Sequence, residues 1–225
     1  MRSAIAERMS RSARTVAAVT LFMDVDATEL VRVRRHLAPE LQREGVRLTY
    51  DALIARASAM ALAELPDLNA EWVEGQGIRR HNRIDLGVAV ALEPEGLVVP
   101  VLRDAGRKTL RTLARELDEL VQLARAGRLL ADRVRGSTFT ITNLGGAGVR
   151  AFTPIVNPDE AAILGVGRVR DVPAYVDGRL EPRAEMTLSL SFDHRIVDGL
   201  PAARFLGRIR DRLERPYALV AASEH

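Results

Sequence analysis

The chain has 225 residues, 47% of them hydrophobic and 28% charged, with 33 basic against 30 acidic side chains for a net charge of +3. That composition supports one full-sized buried core and offers no run near the roughly 20 apolar residues of a membrane span; the opening MRSAIAERMS lacks the apolar run of a secretory signal, so the protein is expected in the cytoplasm. Cysteine is absent, which removes disulfides, thiol nucleophiles and cysteine-held metals, and arginines spread along the chain with few aromatics between them argue against a nucleic-acid groove.

From the N-terminus, the β-branched stretch from Thr15 to Asp26 reads as a strand. A helix follows, with Asp26 and Glu29 spaced like a capping box and Leu30, Val33, Leu37 and Leu41 on one apolar stripe; Pro39 is expected to kink or split it. Thr49 caps a second helix, YDALIARASAMALAEL, that Pro66 closes. DLGVAVAL and GLVVPVL read as two strands joined at the turn EPEG, the second apolar enough to be buried on both faces. Leu110, Leu113, Leu117, Leu120, Val121 and Ala124 recur at helical spacing between the Thr109 cap and Gly127.

STFTIT alternates, with Phe139 and Ile141 on one face and Thr138, Thr140 and Thr142 on the other. AAILGVGRV reads as a strand, and AYVDGRLEP as a hairpin with an Asp-Gly turn. In MTLSLSF, Met186, Leu188, Leu190 and Phe192 face inward and Thr187, Ser189 and Ser191 outward. A last helix carries Phe205, Leu206, Ile209 and Leu213. Without internal repeats or a linker this is a single α+β domain, its mixed or antiparallel sheet flanked by helices.

Two motifs carry candidate chemistry. In NLGGAGVRA, residues Gly146, Gly148 and Ala151 fit G-x-G-x-x-A, but a dinucleotide needs a helix there, and FTPIVNP with Pro154 and Pro158 follows instead. The glycines are better explained by close backbone approach. Of the four histidines, His36 lies on a polar helix face, His81 in a basic loop and His225 at the terminus, so no histidine metal site is supported. His194 differs: it ends a strand otherwise bound for the core, between Asp193 and Arg195, with Asp198 and Gly199 close behind. A structural histidine held by ion pairs is the bland reading; a reactive one presented at a strand-to-helix turn is the sharper one.

DHRIVDG resembles the D-H-R-x-x-D-G signature of the catalytic domain of dihydrolipoamide acyltransferases, components of 2-oxo acid dehydrogenase complexes. GSTFTITNLG, FTPIVNPDEAAILGVG, GLVVPVLRDA, PDLNAEW and IAERMSRS are similar to the same family, in its order, so the resemblance spans residues 1–225. It implies a fold like chloramphenicol acetyltransferase, forming trimers, and acyl transfer between the thiols of dihydrolipoamide and coenzyme A. By resemblance His194 is the general base and Thr142, where the family often has Ser, donates to the oxyanion. Asp198 fixes the turn by an ion pair, and Asp193 and Arg195 support the loop. His194 and Thr142 are implied to meet from different chains of the trimer, so a monomer is expected to be inactive.

Further expectations come with that resemblance. Coenzyme A is a substrate, its contacts unassigned, and the lipoyl group comes on a separate dihydrolipoyl domain; no lipoyl or subunit-binding domain is seen in the sequence, which reads as an excised core. Partners would be the decarboxylase and dihydrolipoamide dehydrogenase components and a larger cubic or dodecahedral core, with no metal, nucleic acid or membrane. FTPIVN leans towards acetyl or branched-chain acyl groups. Two alternatives stand beside this: a small-molecule acetyltransferase of the same fold, against which Asp193 before His194 speaks, and a non-catalytic core scaffold.

Overall fold

A computed structural model describes residues 2–92 and 96–221. Its centre is a seven-stranded mixed sheet in the order β1 (Ala18–Asp26), β11 (Arg179–Asp193), β9 (Ala162–Val166), β8 (Phe139–Asn143), β4 (Leu86–Val88), β7 (Val101–Leu102), with β10 (Arg170–Val176) also paired to β11. β8 runs parallel to both β4 and β9, and the other pairings are antiparallel. Short ribbons pair β2 (Ala70–Val73) with β3 (Gly77–Arg80) and β5 (Val90–Ala91) with β6 (Leu97–Val98). The helices are α1 (Arg2–Thr15), α2 (Thr28–Arg43), α3 (Tyr50–Glu64), α4 (Leu110–Arg125), α5 (Gly199–Glu214) and α6 (Tyr217–Ala221).

The apolar alternation of the central strands dictates which face the helices cover. Phe139, Ile141, Leu164, Met186, Leu188, Leu190 and Phe192 all join one buried cluster with residues of α3, α4 and α5. Phe205 of α5 meets Phe139 edge to face, with ring centroids 5.6 Å apart. Each such large side chain, fully removed from water, contributes about 1.5–3 kcal/mol before its ordering entropy is subtracted. Thr49 and Thr109 cap α3 and α4, accepting from Ala52 N–H and Thr112 N–H at 3.2 Å each. The hairpin between β10 and β11 turns on Asp177 and Gly178, both at positive φ, which is what a two-residue Asp-Gly turn requires.

The opposite face of the sheet is polar yet also covered. Thr187, Ser189 and Ser191 are buried along with the inward set, and the Thr20 and Ser191 hydroxyls bond at 2.7 Å. The segment 152–156 crosses this face. A side chain at Gly165 would sit 3.1 Å from the Phe152 ring, and Ser12 of α1 donates to the Val156 carbonyl at 2.5 Å.

Several expectations change. The first strand starts at Ala18 because Thr15 closes α1, a helix whose four arginines leave no apolar stripe to read. α2 begins at Thr28 without a capping box; Asp26 accepts from Thr28 N–H instead, and the helix is not split at Pro39. GLVVPVL is not one strand buried on both faces: Pro100 has no N–H to offer the ladder, so Leu97–Val98 leaves the main sheet to pair with Val90–Ala91, and Leu97 is exposed. Of the turn EPEG, Glu93 to Glu95 lie outside the described residues, as does His225.

Candidate active site

The turn after β11 is built around a buried carboxylate. Asp193 ends the strand, anchored by its N–H to the Ala161 carbonyl, and its own carbonyl accepts from both Ile196 and Val197 N–H, which reverses the chain. Its side chain accepts the Arg195 N–H at 3.0 Å, Arg195 Nε at 3.0 Å and Nη2 at 2.5 Å. The hydrogen bond to Asp193 chiefly holds the Arg195 guanidinium above its ordinary pKa, against partial desolvation. The guanidinium also lies 5.1 Å from the centre of the Trp72 ring of β2, a cation–π distance.

His194 sits inside this clamp. Its N–H donates to the Ala17 carbonyl at 2.9 Å, its ring rests 5.8 Å from that of Phe192, and its side chain is half-exposed. Nδ1 faces Asp198 Oδ1 at 3.7 Å, too long for a hydrogen bond and within ion-pair range once the imidazole is protonated. Asp198 is the N-cap residue of α5, yet its side chain makes no capping bond and is largely exposed. Nε2 has no hydrogen-bond partner among the described residues, so this face of the ring is available to a substrate.

Thr142 lies elsewhere. It is paired with Gly165, and Gly165 with Ser189, so along β11 it stands level with Ser189 rather than His194. From strand geometry this places Thr142 and His194 about 17 Å apart along the strands and about 10 Å across them, at opposite ends of the sheet. The Thr142 hydroxyl makes no hydrogen bond among the described residues. Within one chain the two residues do not meet.

Beside Thr142 is an arrangement that sequence reasoning missed. Asn143 Nδ2 donates to Asp51 Oδ1 of α3 at 2.6 Å, while Asn143 Oδ1 accepts Gly145 N–H at 2.8 Å. Burial pushes the Asp51 carboxyl above its ordinary pKa, and the Asn143 bond pulls it partly back. A cavity of about 610 Å³ on the helix side is walled by Asp51, Val88, Leu117 and Val121; its lining includes neither Thr142 nor His194. Only the polar Asn at a strand end could have signalled this pair.

The glycines of NLGGAGVRA start no long helix: a single 3-10 turn, Gly145–Ala147, is followed by chain without regular secondary structure, so the dinucleotide reading fails on geometry. A side chain at Gly145 would come within 2.7 Å of the Gly167 carbonyl, which is the close approach the sequence suggested. His36 is exposed, and His81 stands 3.6 Å from Glu71. Among the described residues no helix is long and apolar enough to cross a membrane.

The chain is similar to a set of known proteins. The chain is 43% identical over 221 residues to the dihydrolipoyllysine-residue acetyltransferase component of the acetoin cleaving system of Bacillus subtilis, covering 98% of this chain and 55% of that protein. It is 39% identical over 221 residues to the succinyltransferase component of the 2-oxoglutarate dehydrogenase complex of Bartonella vinsonii, covering 98% and 53%. The chain therefore spans about half the length of these curated relatives.

A structure of Azotobacter vinelandii dihydrolipoamide acetyltransferase, determined to investigate a serine, a histidine and an asparagine in its mechanism, superposes with a TM-score of 0.92 and 41% identity, covering 97% and 90% of the two chains. The cubic core of a pyruvate dehydrogenase complex superposes at 0.91, with 41% identity over 97% and 90%. Chloramphenicol acetyltransferase, at 12% identity, 0.57 and 92% and 94% coverage, shows a shared fold. The family model of the 2-oxoacid dehydrogenases acyltransferase catalytic domain matches residues 1–221, and the chain belongs to that family.

Proposed function

We propose that this chain transfers an acyl group reversibly between the thiols of coenzyme A and dihydrolipoamide, as the catalytic domain of a 2-oxo acid dehydrogenase complex. The observation that carries the reading is the half-exposed His194, its backbone N–H held by the Ala17 carbonyl and its Nε2 without a hydrogen-bond partner among the described residues. A thiol of pKa about 8.5 needs a base near neutrality to become a nucleophile, and an imidazole is matched to that task. His194 Nε2 takes the thiol proton; the thiolate attacks the thioester carbonyl carbon; the tetrahedral oxyanion collapses; and the departing thiolate recovers the proton from the imidazolium. Asp198, 3.7 Å from His194 Nδ1, fixes the turn by an ion pair, and the Thr142 hydroxyl of a neighbouring chain donates to the oxyanion.

Support for those assignments comes from the Azotobacter enzyme, whose investigated serine, histidine and asparagine are separated by the same numbers of residues as Thr142, His194 and Asp198. Two of the three differ in kind here, Thr for Ser and Asp for Asn. A threonine keeps the hydroxyl and adds a methyl, beside a sheet position, Gly165, that Phe152 and Pro154 already cover.

The opposite placement of the half-sites favours a site completed between subunits of a trimer, and the cubic core of a relative favours assembly of trimers into a shell. Residues 1–225 then form one catalytic domain, cytoplasmic, served by a lipoyl group on a separate domain and working with decarboxylase and dihydrolipoamide dehydrogenase components. FTPIVN favours acetyl or branched-chain acyl groups over succinyl.

The test is acyl transfer from acetyl-CoA, succinyl-CoA and a branched-chain acyl-CoA to dihydrolipoamide, by the wild type and His194→Ala. The wild type is expected to prefer acetyl or the branched-chain group to succinyl, and the variant to lose about three orders of magnitude. A protein that assembles but transfers none of these groups would overturn the reading.

A further inference from the structure

Asn143 closes β8, and alternation along the strand sends its side chain to the helix face while Thr142 points to the polar face. Its amide is held at both ends. Nδ2 donates to Asp51 at 2.6 Å and Oδ1 accepts Gly145 N–H at 2.8 Å, so a flipped amide would set oxygen against the carboxylate and N–H against N–H. The turn beyond is equally confined: a Cβ on Gly145 would meet the Gly167 carbonyl at 2.7 Å and Asn143 Oδ1 at 3.0 Å. Asp51 belongs to the first turn of α3, anchored by the Thr49 cap and otherwise deep in the core. The peptide joining Thr142 to Asn143 is therefore tied across the sheet to the most buried helix of the fold.

We infer that Asp51 is a positioning residue that sets the Thr142 hydroxyl through Asn143. The inference rests on the proposed role of Thr142. Asp51 touches no substrate in this account; it decides where the strand end, and with it the hydroxyl, comes to rest. Its carboxylate is only partly compensated, since burial disfavours the charge that the Asn143 bond favours. A donor displaced by a fraction of its bond length no longer reaches the oxyanion, whereas ground-state binding of the thiol substrates is left intact.

The test uses the assembled protein and steady-state acyl transfer with both substrates varied. Asp51→Ala and Asn143→Ala are each expected to lower kcat by about 10- to 100-fold with KM for each substrate within about twofold. Asn143→Asp alone sets two carboxylates together and is expected to be the worst single variant. The swapped pair Asp51→Asn with Asn143→Asp remakes both hydrogen bonds and is expected to recover kcat to within about fivefold of wild type.

If Asp51→Ala assembles poorly, the comparison of Asn143→Asp with the swapped pair carries the test. Loss confined to KM, an undiminished kcat, or a swapped pair no better than Asn143→Asp overturns the positioning role while leaving acyl transfer standing. A wild type without transferase activity overturns the functional reading itself, and the positioning role with it.

Discussion

Arg195 reaches back to Asp193 with both Nε and Nη2 while its own N–H bonds the same carboxylate, so the two residues flanking His194 hold each other rather than the histidine. Asp193 is 1% exposed and cannot exchange this partner for water.

Asp193→Ala is accordingly expected to cost about 3 kcal/mol in urea unfolding, the scale of a buried charge pair with one member removed. Asp193→Asn retains an acceptor for the Arg195 N–H and is expected to cost less. Both should lower transferase activity, because the turn that presents His194 is folded on this carboxylate. An Asp193→Ala variant as stable and active as wild type would show that the turn is held by other contacts.

Gly146 of the glycine loop and Gly167, which packs against that loop after β9, separate steric need from mere smallness. A Cβ at Gly167 would lie 1.8 Å from the Arg150 carbonyl, a backbone atom, whereas one at Gly146 meets nothing within 4 Å. Gly167→Ala is therefore expected to destabilise the fold by about 3 kcal/mol or more, and Gly146→Ala by less than about 1 kcal/mol. Thermal unfolding of the two variants checks this, and equal shifts would contradict it.

Asp51 gives the stability a pH dependence of definite sign. Its carboxyl is raised from the ordinary 3.8 by burial, so between 3.8 and the raised value the folded chain holds a proton that the unfolded chain has released. Stability from this group is thus fully present below 3.8 and lost as pH rises through the folded value. Relative to Asp51→Asn, the wild type should gain stability as pH falls from neutrality towards 4, read by urea unfolding at several pH values. A constant difference between the two would show that Asp51 titrates normally.

Much of the architecture was legible because it is local. The cap at Thr49, the stripe of α4, the alternation from Met186 to Phe192 and the Asp-Gly turn each act within a few residues. The DHRIVDG turn was legible too, since Asp193, His194, Arg195 and Asp198 are neighbours in sequence as well as in space. What escaped depends on distant pairing. Ser189 and Ser191 look like an outward face until the segment 152–156 covers them, and the ribbon of Val90–Ala91 with Leu97–Val98 exists because Pro100 interrupts a strand. The link from Asp51 to Asn143 spans 92 residues with no periodicity to announce it. The separation of Thr142 from His194 in one chain was implied by the family resemblance, while its physical cause, the order, direction and register of the strands, is encoded by no local pattern.

That separation also supplies the most direct test of the central claim, that His194 of one subunit works with Thr142 of another. His194→Ala and Thr142→Val chains, each expected to be nearly inactive, are co-expressed in equal amounts and assayed for acetyl transfer to dihydrolipoamide. In mixed trimers a site is intact only when its histidine comes from the Thr142→Val chain and its threonine from the His194→Ala chain, so about a quarter of wild-type activity should return. Activity no higher than that of the parents, in trimers shown to contain both chains, would contradict a site shared between subunits.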